Sequence, residues 1–370
     1  MTVLAERLGS LTSGRPQQVA GRAAVTLAIA FALGWVLFYA RSTNFGPLVS
    51  DPHDFIVTLM NGITFAGLLF IVASGFSLIF GLMRVVNMAH GAFYLFAGYL
   101  AYEIQQAMTG QGYVIQSSEI TTWEWVAPML TAAAIVAALG LATQQLGLRW
   151  NQGQDLRQAL ITIALSVIIA DQVIAHFPRH TAVGTQRFGG TAVPVTWPGW
   201  TDRFVDLHVA GVQYSLQRLV MLGLGVIVGL VLWLWLYRTR TGMVIRAGVD
   251  DRDMTAALGV NIQLTFAIAF VVGSALAAVG ATVGTSQGNV ASGQDGQWLL
   301  NSLVVVIVGG MGSIFGAIAG SLLYALVFTF SAVYLPSSGD NCCTQYSIVF
   351  TFALVALVLA FRPRGLFGRD

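Results

Sequence analysis

Charged residues are scarce in this chain of 370 residues: only 9% are Asp, Glu, Lys or Arg, against about 25% in an average soluble protein. Hydrophobic residues make up 56%, and the mean hydropathy is +0.74. Because so few charges do not cover a water-facing surface, the composition indicates an integral membrane protein. The net charge of +2 gives no basis for nucleic-acid binding.

Lysine is absent, and all 18 basic residues are arginines. The chain therefore has no Gly-x-x-x-x-Gly-Lys-Ser/Thr loop for binding ATP. Its only cysteines, Cys342 and Cys343, are adjacent, whereas zinc and redox motifs need wider spacing. Two free thiols or a strained vicinal disulfide in a surface loop are the remaining interpretations. The sequence predicts no metal site, and it shows no nucleophile, base and orienting group at workable spacing for an enzyme.

Long apolar runs occupy most of the chain. Since a bilayer core needs about 20 apolar residues per helix, we expect an all-α polytopic helical bundle of about 8–10 transmembrane helices. The polar segment 1–18 lacks a cleavage site after a short apolar core, so we expect no removable signal peptide. The predicted spans lie near 20–40, 55–80, 85–108, 124–148, 157–177, 215–237, 262–285, 298–311, 315–335 and 345–361.

Arginine placement predicts the orientation, because cytoplasmic loops keep positive charge. With both termini in the cytoplasm, thirteen arginines face inward: Arg7, Arg15, Arg22, Arg84, Arg149, Arg157, Arg238, Arg240, Arg246, Arg252, Arg362, Arg364 and Arg369. Five face outward: Arg41, Arg179, Arg187, Arg203 and Arg218. We therefore expect both termini inside and an even number of crossings.

Four polar residues in or beside the second and third apolar runs are predicted to line a pathway. Asn87 and His90 are three residues apart and share a helix face, at a depth where polar groups need partners or water. Asn61 and Thr64 lie near the start of the second run. Other interpretations remain open: Asn61 and Thr64 cap or cross-link helices, and His90 bonds a neighbouring carbonyl to fix helix packing.

The inward connection 238–260 carries four Arg and three Asp in a chain that is otherwise almost uncharged. Asp250 and Asp251 favour the N-terminus of a short helix, and Gly259 and Asn261 favour its end. We predict a short amphipathic helix that docks on a partner protein; a solvated turn is the alternative. The residues predicted to make this contact are Arg246, Asp250, Arg252, Asp253, Ala256, Ala257 and Gly259.

Glycines are concentrated late in the chain. Small residues at three- and four-residue spacing in 273–284 and 309–320 predict close helix packing. The densest cluster indicates a helix that is broken or re-entrant near 309–316. Its members are Gly309, Gly310, Gly312 and Gly316.

The outward connection 178–213 is the longest polar loop. Its turn residues include Gly189, Gly190 and Pro194, and apolar residues alternate over 204–209, which favours a short hairpin. A docking surface on the outside and an ordered cap on helix ends are both open interpretations.

Several motifs together resemble the membrane permease of branched-chain amino acid ABC importers, specifically the LivH-type subunit. They are Asn61-Gly62, Gly75 to Gly81, Asn87-Met-Ala-His90-Gly91 with Gly98-Tyr99, the 241–261 loop from Thr241-Gly242 to Asn261, and Gly309-Gly310-Met311-Gly312-Ser313 with Gly316. The resemblance covers about residues 55–361. We divide the chain into residues 1–50, a cytoplasmic segment with an extra transmembrane helix, and residues 51–370, the permease domain.

The resemblance implies a bacterial inner-membrane subunit that pairs with a LivM-type permease and works by alternating access. Two cytoplasmic ATPase subunits would bind ATP and Mg and grip the connection 238–260, and an extracytoplasmic solute-binding protein would deliver the solute. Branched-chain amino acids are the expected solute, with urea, short amides and aromatic acids as alternatives. Ala92 stands where many relatives carry Glu, which removes one charge near the predicted inner mouth.

A secondary transporter driven by protons or sodium is the rival class. Its ion site would combine Glu103, Asp171 and the broken segment 309–316. Beyond lipid and protein partners, we expect no nucleic acid and no cofactor bound by this chain itself.

Overall fold

The computed structural model describes residues 52–83, 86–110, 120–151, 153–176, 179–181, 184–186, 192–206, 212–334 and a few positions near the C-terminus (352–353, 358, 362 and 365–367). The predicted span 20–40, most of the span 345–361, Arg84, Cys342, Cys343, Gly189 and Gly190 lie outside the described residues. The helices are α1 (Pro52–Met83), α2 (His90–Thr109), α3 (Thr122–Ala142), α4 (Asp155–His176), α5 (Leu216–Arg238), α6 (Arg240–Asp250), α7 (Arg252–Ala257), α8 (Ile262–Gln287), α9 (Gln294–Gly309) and α10 (Ile314–Tyr334).

Short strands occur only in the outward connection, within the part of the chain that is described. They form two antiparallel pairs, so the predicted hairpin is present, with Phe204 opposite Ser215. The strands are β1 (Arg179–Thr181), β2 (Gly184–Gln186), β3 (Phe204–Asp206) and β4 (Gln213–Ser215).

Six of the described helices are long and apolar enough to cross a membrane: α1, α3 with its continuation to Asn151, α4, α5, α8 and α10. The prediction of a polytopic helical membrane protein is therefore confirmed. Helices α2 and α9 also form where spans were predicted, although neither meets the same length and hydropathy limits. The total number of crossings stays a prediction.

Helix α1 is the centre of the bundle. Its most apolar stretch is 83% buried, against 17% for α4, so α4 faces the surroundings while α1 is covered by other helices. Glycines let its neighbours approach: a Cβ on Gly273 of α8 would lie 2.7 Å from the Gly75 carbonyl oxygen, and one on Gly225 of α5 would lie 2.9 Å from Gly67 Cα. This close packing confirms the small-residue pattern predicted for α8.

Helices α2 and α9 begin beside each other deep in the bundle. The His90 ring, at the start of α2, lies 3.1 Å from the Val72 carbonyl, and Val72 is about 16 Å from the end of α1 at Met83. At the start of α9, the Asp295 carbonyl is so close to Gly91 that any side chain there would collide with it. We call this meeting point the junction of α2 and α9.

The predicted helix break is present between α9 and α10. Helix α9 ends at Gly309 and α10 begins at Ile314, with Gly310 and Gly312 at positive φ between them. Distant residues near the C-terminus complete the end of α9, because Leu366 N and Phe367 N donate to the carbonyls of Val308 and Gly309, each at 2.9 Å. These bonds satisfy acceptors that a helix end leaves open.

An extended segment, residues 192–201, covers the C-terminal ends of α2 and α8 and the N-terminal end of α3. Val193 and Val290 exchange backbone hydrogen bonds of 2.9 Å. The buried Gln105 side chain accepts from Thr196 N at 2.8 Å and donates to its carbonyl at 2.9 Å. The Trp197 ring stacks on Trp125 at 4.9 Å. This part of the outward connection is therefore an ordered cap on helix ends.

The inward connection folds as two short helices, α6 and α7, and not as one. Asp251 caps α7 by accepting a hydrogen bond from Met254 N at 3.0 Å, as expected for an acid at a helix N-terminus. Asp250 instead ends α6, so its predicted place at a helix start is wrong. Gly259 has φ +83 and Asn261 caps α8, which confirms the predicted stop.

Candidate functional site

The N-terminal half of α1 holds a polar cluster that joins it to α5. Asn61 Oδ1 accepts from the Tyr214 hydroxyl at 3.0 Å and from the Arg218 guanidinium. Thr64 is buried, and its hydroxyl lies 3.0 Å from that of Tyr214 while donating to Met60 O at 2.9 Å. The interpretation that Asn61 and Thr64 cross-link helices therefore describes their contacts, and their pathway role stays a prediction.

The junction of α2 and α9 holds the other two predicted pathway residues. Asn87 is 3% exposed and His90 is fully buried. Since a carbonyl oxygen only accepts hydrogen bonds, His90 Nε2 donates to Val72 O, which leaves Nδ1 as an acceptor. Among the described residues, neither His90 Nδ1 nor Asn87 Nδ2 has a partner. The junction thus holds an unused acceptor and an unused donor in a buried position.

Residues at the start of α9 complete the junction. Trp298 stacks on Tyr94 of α2 with ring centroids 4.3 Å apart, and Asp295 lies in the first turn of α9. Gly296 and Gln297 beside them are exposed. Sequence reasoning missed the first turn of α9 because residues 286–297 lie between the predicted spans 262–285 and 298–311 and are mainly polar. The sequence has no local signal for this turn, because residues 294–297 include no apolar side chain that would extend the helical pattern of the next run.

Two helix N-termini meet at this junction. Each carries a partial positive charge of about half a unit and unpaired backbone N–H groups. Ala89 gives α2 no side-chain cap, and α9 also begins without one. A negatively charged or strongly polar group is the chemistry that such an arrangement stabilises.

The connection between α5 and α8, which we call the elbow (residues 239–261), holds the residues predicted to contact a partner. Most of them lie on its exposed tip: Asp253, Ala256, Ala257 and Gly259 are exposed. Two apolar neighbours are exposed with them, Met254 at 63% and Leu258 at 79%. Large apolar groups at the polar end of a bundle are typical of a contact surface.

Arg252 and Arg246 do not belong to this tip. The guanidinium of Arg252 lies 4.9 Å from the centre of the Phe266 ring on α8, so it ties α7 to the helix that follows. Arg246 is half-buried, its Nε donates to Leu236 O at 3.0 Å, and it lines a cavity of about 920 Å³. Asp250 is exposed and lines the same cavity.

The residues of the rival ion site are not assembled. Glu103 and Asp171 are exposed on α2 and α4. Gly312, in the broken segment, instead lies against Gly81 near the C-terminal end of α1. Glu103 is about 20 Å along α2 from the junction. In the described ranges, no group of three or more His, Cys, Asp or Glu side chains could hold a metal ion.

A model of the family described as "Branched-chain amino acid transport system / permease component" matches residues 58–359. Permease protein BraD of the high-affinity branched-chain amino acid transport system of Pseudomonas aeruginosa is 28% identical over 86% of this chain and 97% of its own length. LivH of Escherichia coli K12 is 27% identical over 85% of this chain and 96% of its own length.

A probable branched-chain amino acid transport permease protein LivH of Methanocaldococcus jannaschii is 20% identical over 84% of this chain and 92% of its own length. Among solved structures, PsaBC from Streptococcus pneumoniae in complex with Fab is 11% identical, with a TM-score of 0.42 over 84% of this chain and 94% of that one. This last similarity is too low to bear on fold or function. The family match extends over most of the chain and includes the junction, the elbow and the helix break, so the protein belongs to the permease components of branched-chain amino acid transport systems.

Proposed function

We propose that this permease is one of two membrane subunits of an ATP-driven importer and carries branched-chain amino acids or a related small polar solute by alternating access. A LivM-type permease is its membrane partner. Two cytoplasmic ATPase subunits bind ATP and Mg and supply the energy, and an extracytoplasmic solute-binding protein delivers the solute. The LivH and BraD relatives are named for branched-chain amino acid transport, which is the basis for this choice of solute.

The exposed tip of the elbow is the observation that carries this proposal. Met254 and Leu258 offer apolar side chains, and small residues around them leave room for a partner's groove. Helix α6 packs against α5, and Arg252 holds α7 against α8, so force on the tip reaches two membrane helices. Moving a two-state element from mostly one state to mostly the other takes about 5.5 kcal/mol of differential binding free energy. A helix bound in a groove of the ATPase can transmit this free energy, whereas a solvated turn cannot.

The face of α9 near the junction supports a second membrane subunit. Gly296 and Gln297 are exposed there, followed by Leu300 at 47%. An exposed amide inside a bilayer needs a protein partner or water beside it. We place the solute pathway between this face and the partner permease, with the unused polar atoms of Asn87 and His90 within its wall.

Uptake of radiolabelled leucine into proteoliposomes that contain the complete complex tests the proposal. We expect uptake to require ATP on the side of the membrane where the ATPase subunits lie. Uptake should persist when an ionophore collapses the proton and sodium gradients. Uptake by this chain alone, driven by an ion gradient, would contradict it.

A matched pair of variants tests the elbow itself. Leu258→Asp places a charge on the tip, and we expect it to abolish ATP-dependent uptake and co-purification of the ATPase while the protein still inserts in the membrane. Leu156→Asp changes a similarly exposed leucine, at 74% against 79%, in the first turn of α4 at the same end of the bundle, and should retain both. Equal behaviour of the two variants would remove the elbow from the coupling mechanism.

A further inference from the structure

A cavity of about 920 Å³ lies between the elbow, the inner part of α1, the end of α5 and the helix break. It is distinct from the junction and from the tip of the elbow. Its polar lining consists of Arg246, Asp250, Tyr237 and the hydroxyl groups of Ser74, Ser77 and Ser313. Asp250 interacts with another residue of the chain. The rest of its wall is mainly apolar: Leu78, Phe80, Leu232, Leu236, Ile245, Val249, Met311, Ile314, Phe315 and Phe367.

Arg246 is held in place inside this cavity. Its Nε donates to Leu236 O at 3.0 Å, and its guanidinium carbon lies 4.4 Å above the centre of the Tyr237 ring. Among the described residues, no carboxylate lies within ion-pair distance of it. A fixed guanidinium whose outer N–H groups have no anionic partner within the described part of the chain is suited to bind the oxygens of a phosphate.

Two residues that line the cavity, Tyr237 and Phe315, border an apolar surface. Tyr237 on α5 and Phe315 on α10 approach with ring centroids 6.3 Å apart. Beyond them, Leu234 on α5 is 48% exposed, and Phe315 and Ile318 on α10 are 48% and 43% exposed. Only 22% of the most apolar stretch of α5 is buried, as expected for a helix that faces acyl chains.

We propose that this cavity binds one anionic phospholipid, with its phosphate on Arg246 and its acyl chains along the exposed apolar residues of α5 and α10. The cation and the apolar walls sit at one end of membrane-spanning helices, where the headgroups of a leaflet lie. Arg238, which follows the lining residue Tyr237, is exposed and adds to the attraction for negative headgroups. A free phosphate would satisfy Arg246 but would leave the apolar wall uncovered.

The position of the lipid gives it a regulatory role. Its headgroup would contact α6 of the elbow, and its chains would lie against the start of α10, directly after the helix break. Gly312 in the break meets Gly81 of α1, and Val249 of α6 packs beside both. A lipid bound here therefore limits the movement of the elbow relative to the helix break. It thereby controls how far a movement of the elbow is transmitted to the helix break.

Thermal stability of the purified complex in defined lipid tests the site. Nanodiscs of phosphatidylethanolamine are compared with nanodiscs that also contain phosphatidylglycerol, and glycerol phosphate in solution serves as the headgroup without chains. We expect phosphatidylglycerol, and not glycerol phosphate, to raise the melting temperature and to remain bound, as one molecule per permease, in native mass spectrometry. An equal effect of glycerol phosphate would show a free-anion site and overturn the lipid assignment, and no effect of either would overturn the site.

Three variants test whether phosphatidylglycerol binds in this cavity. Arg246→Gln removes the charge and should retain phosphatidylglycerol about fivefold more weakly, the loss expected for one basic residue at a membrane surface. Arg240→Gln removes an exposed charge outside the cavity lining and should retain the lipid like the wild type. Ser77→Leu keeps Arg246 but fills part of the cavity, so it should also lose the lipid. If Arg246→Gln and Ser77→Leu both retain it, the cavity is not its site.

Discussion

His90 shows how one buried polar side chain can serve packing and function together. Its Nε2 donates to Val72 O, and its ring lies edge-on to Phe76 at 5.3 Å. We expect His90→Phe to lose this hydrogen bond in a fully packed position and to lower the free energy of unfolding by about 1–3 kcal/mol. A thermal melt of the detergent-purified protein measures the loss.

His90→Gln is the control for that prediction. The amide keeps an N–H donor, so this variant should melt nearer to the wild type. Leucine uptake separates the two roles: a pathway residue loses uptake in both variants, whereas a packing residue loses it only in the variant that is destabilised. If the His90→Phe protein melted and took up leucine like the wild type, the imidazole ring would be needed neither for packing nor for transport.

The polar cluster between α1 and α5 predicts an order of effects. Asn61→Leu removes the acceptor of both Tyr214 and Arg218 and leaves a half-buried cation without its partner, so we expect a loss of about 2 kcal/mol. Tyr214→Phe removes a single hydroxyl and should lose about 1 kcal/mol. Because the two changes share one hydrogen bond, the double variant should lose less than their sum. Urea or thermal unfolding of all three proteins measures this.

Two residues of this cluster illustrate what sequence reasoning reaches and what it does not. Asn61 and Thr64 stand out as polar residues inside an apolar run. Tyr214 and Arg218 lie about 150 positions away in the chain, and no local pattern connects them with Asn61. Pairing between distant helices is set by how the bundle packs, which periodicity does not encode.

At the scale of single elements, the helix break depends on backbone contact between its two sides. A Cβ on Gly316 would lie 2.5 Å from the Gly309 carbonyl oxygen and 2.8 Å from its carbon. Backbone atoms cannot move aside as a flexible side chain does, so we expect Gly316→Ala to lose about 1–3 kcal/mol. The melting temperature of the purified variant measures this.

Gly223, in the middle of α5, is the matched control. Nothing lies within 4 Å of a Cβ built there, and alanine favours a helix over glycine by about 1 kcal/mol. Gly223→Ala should therefore be neutral or slightly stabilising. Equal melting of both alanine variants would mean that the close contact at the break is not needed.

Helix limits were predictable where apolar runs end in polar residues. The run 157–177 corresponds to α4 (Asp155–His176) and the run 262–285 to α8 (Ile262–Gln287). The start of α9 was not predictable, because its first turn is polar and lies against other protein segments at depth. Protein contacts there replace the water that a polar turn normally needs, so the composition resembles that of a surface loop.

For the whole molecule, the orientation is a prediction that labelling can test. In a background with Cys342→Ser and Cys343→Ser, Phe204→Cys marks the outward connection and Leu258→Cys marks the elbow. These side chains are 71% and 79% exposed, so both should react with a maleimide that has access. The arginine bias predicts that a membrane-impermeant maleimide labels position 204 in intact spheroplasts and position 258 only after lysis.

The reverse labelling pattern would place the elbow outside, out of reach of any cytoplasmic ATPase. Labelling of both positions before lysis would indicate damaged membranes, which a cytoplasmic marker protein detects. The sequence supports this orientation through charge counts alone, whereas the structure contributes the two exposed positions that make the test possible.

The end of α9 has a consequence for how this protein should be handled in the laboratory. Its last carbonyls accept hydrogen bonds from Leu366 and Phe367, which stabilise the helix break. A purification tag or fluorescent reporter fused directly after Asp370 would be attached close to these two residues. An affinity tag at the N-terminus avoids this disturbance. If only the C-terminal fusion expresses poorly, the cause is the disturbed contact of Leu366 and Phe367 with α9, and not low stability of the permease itself.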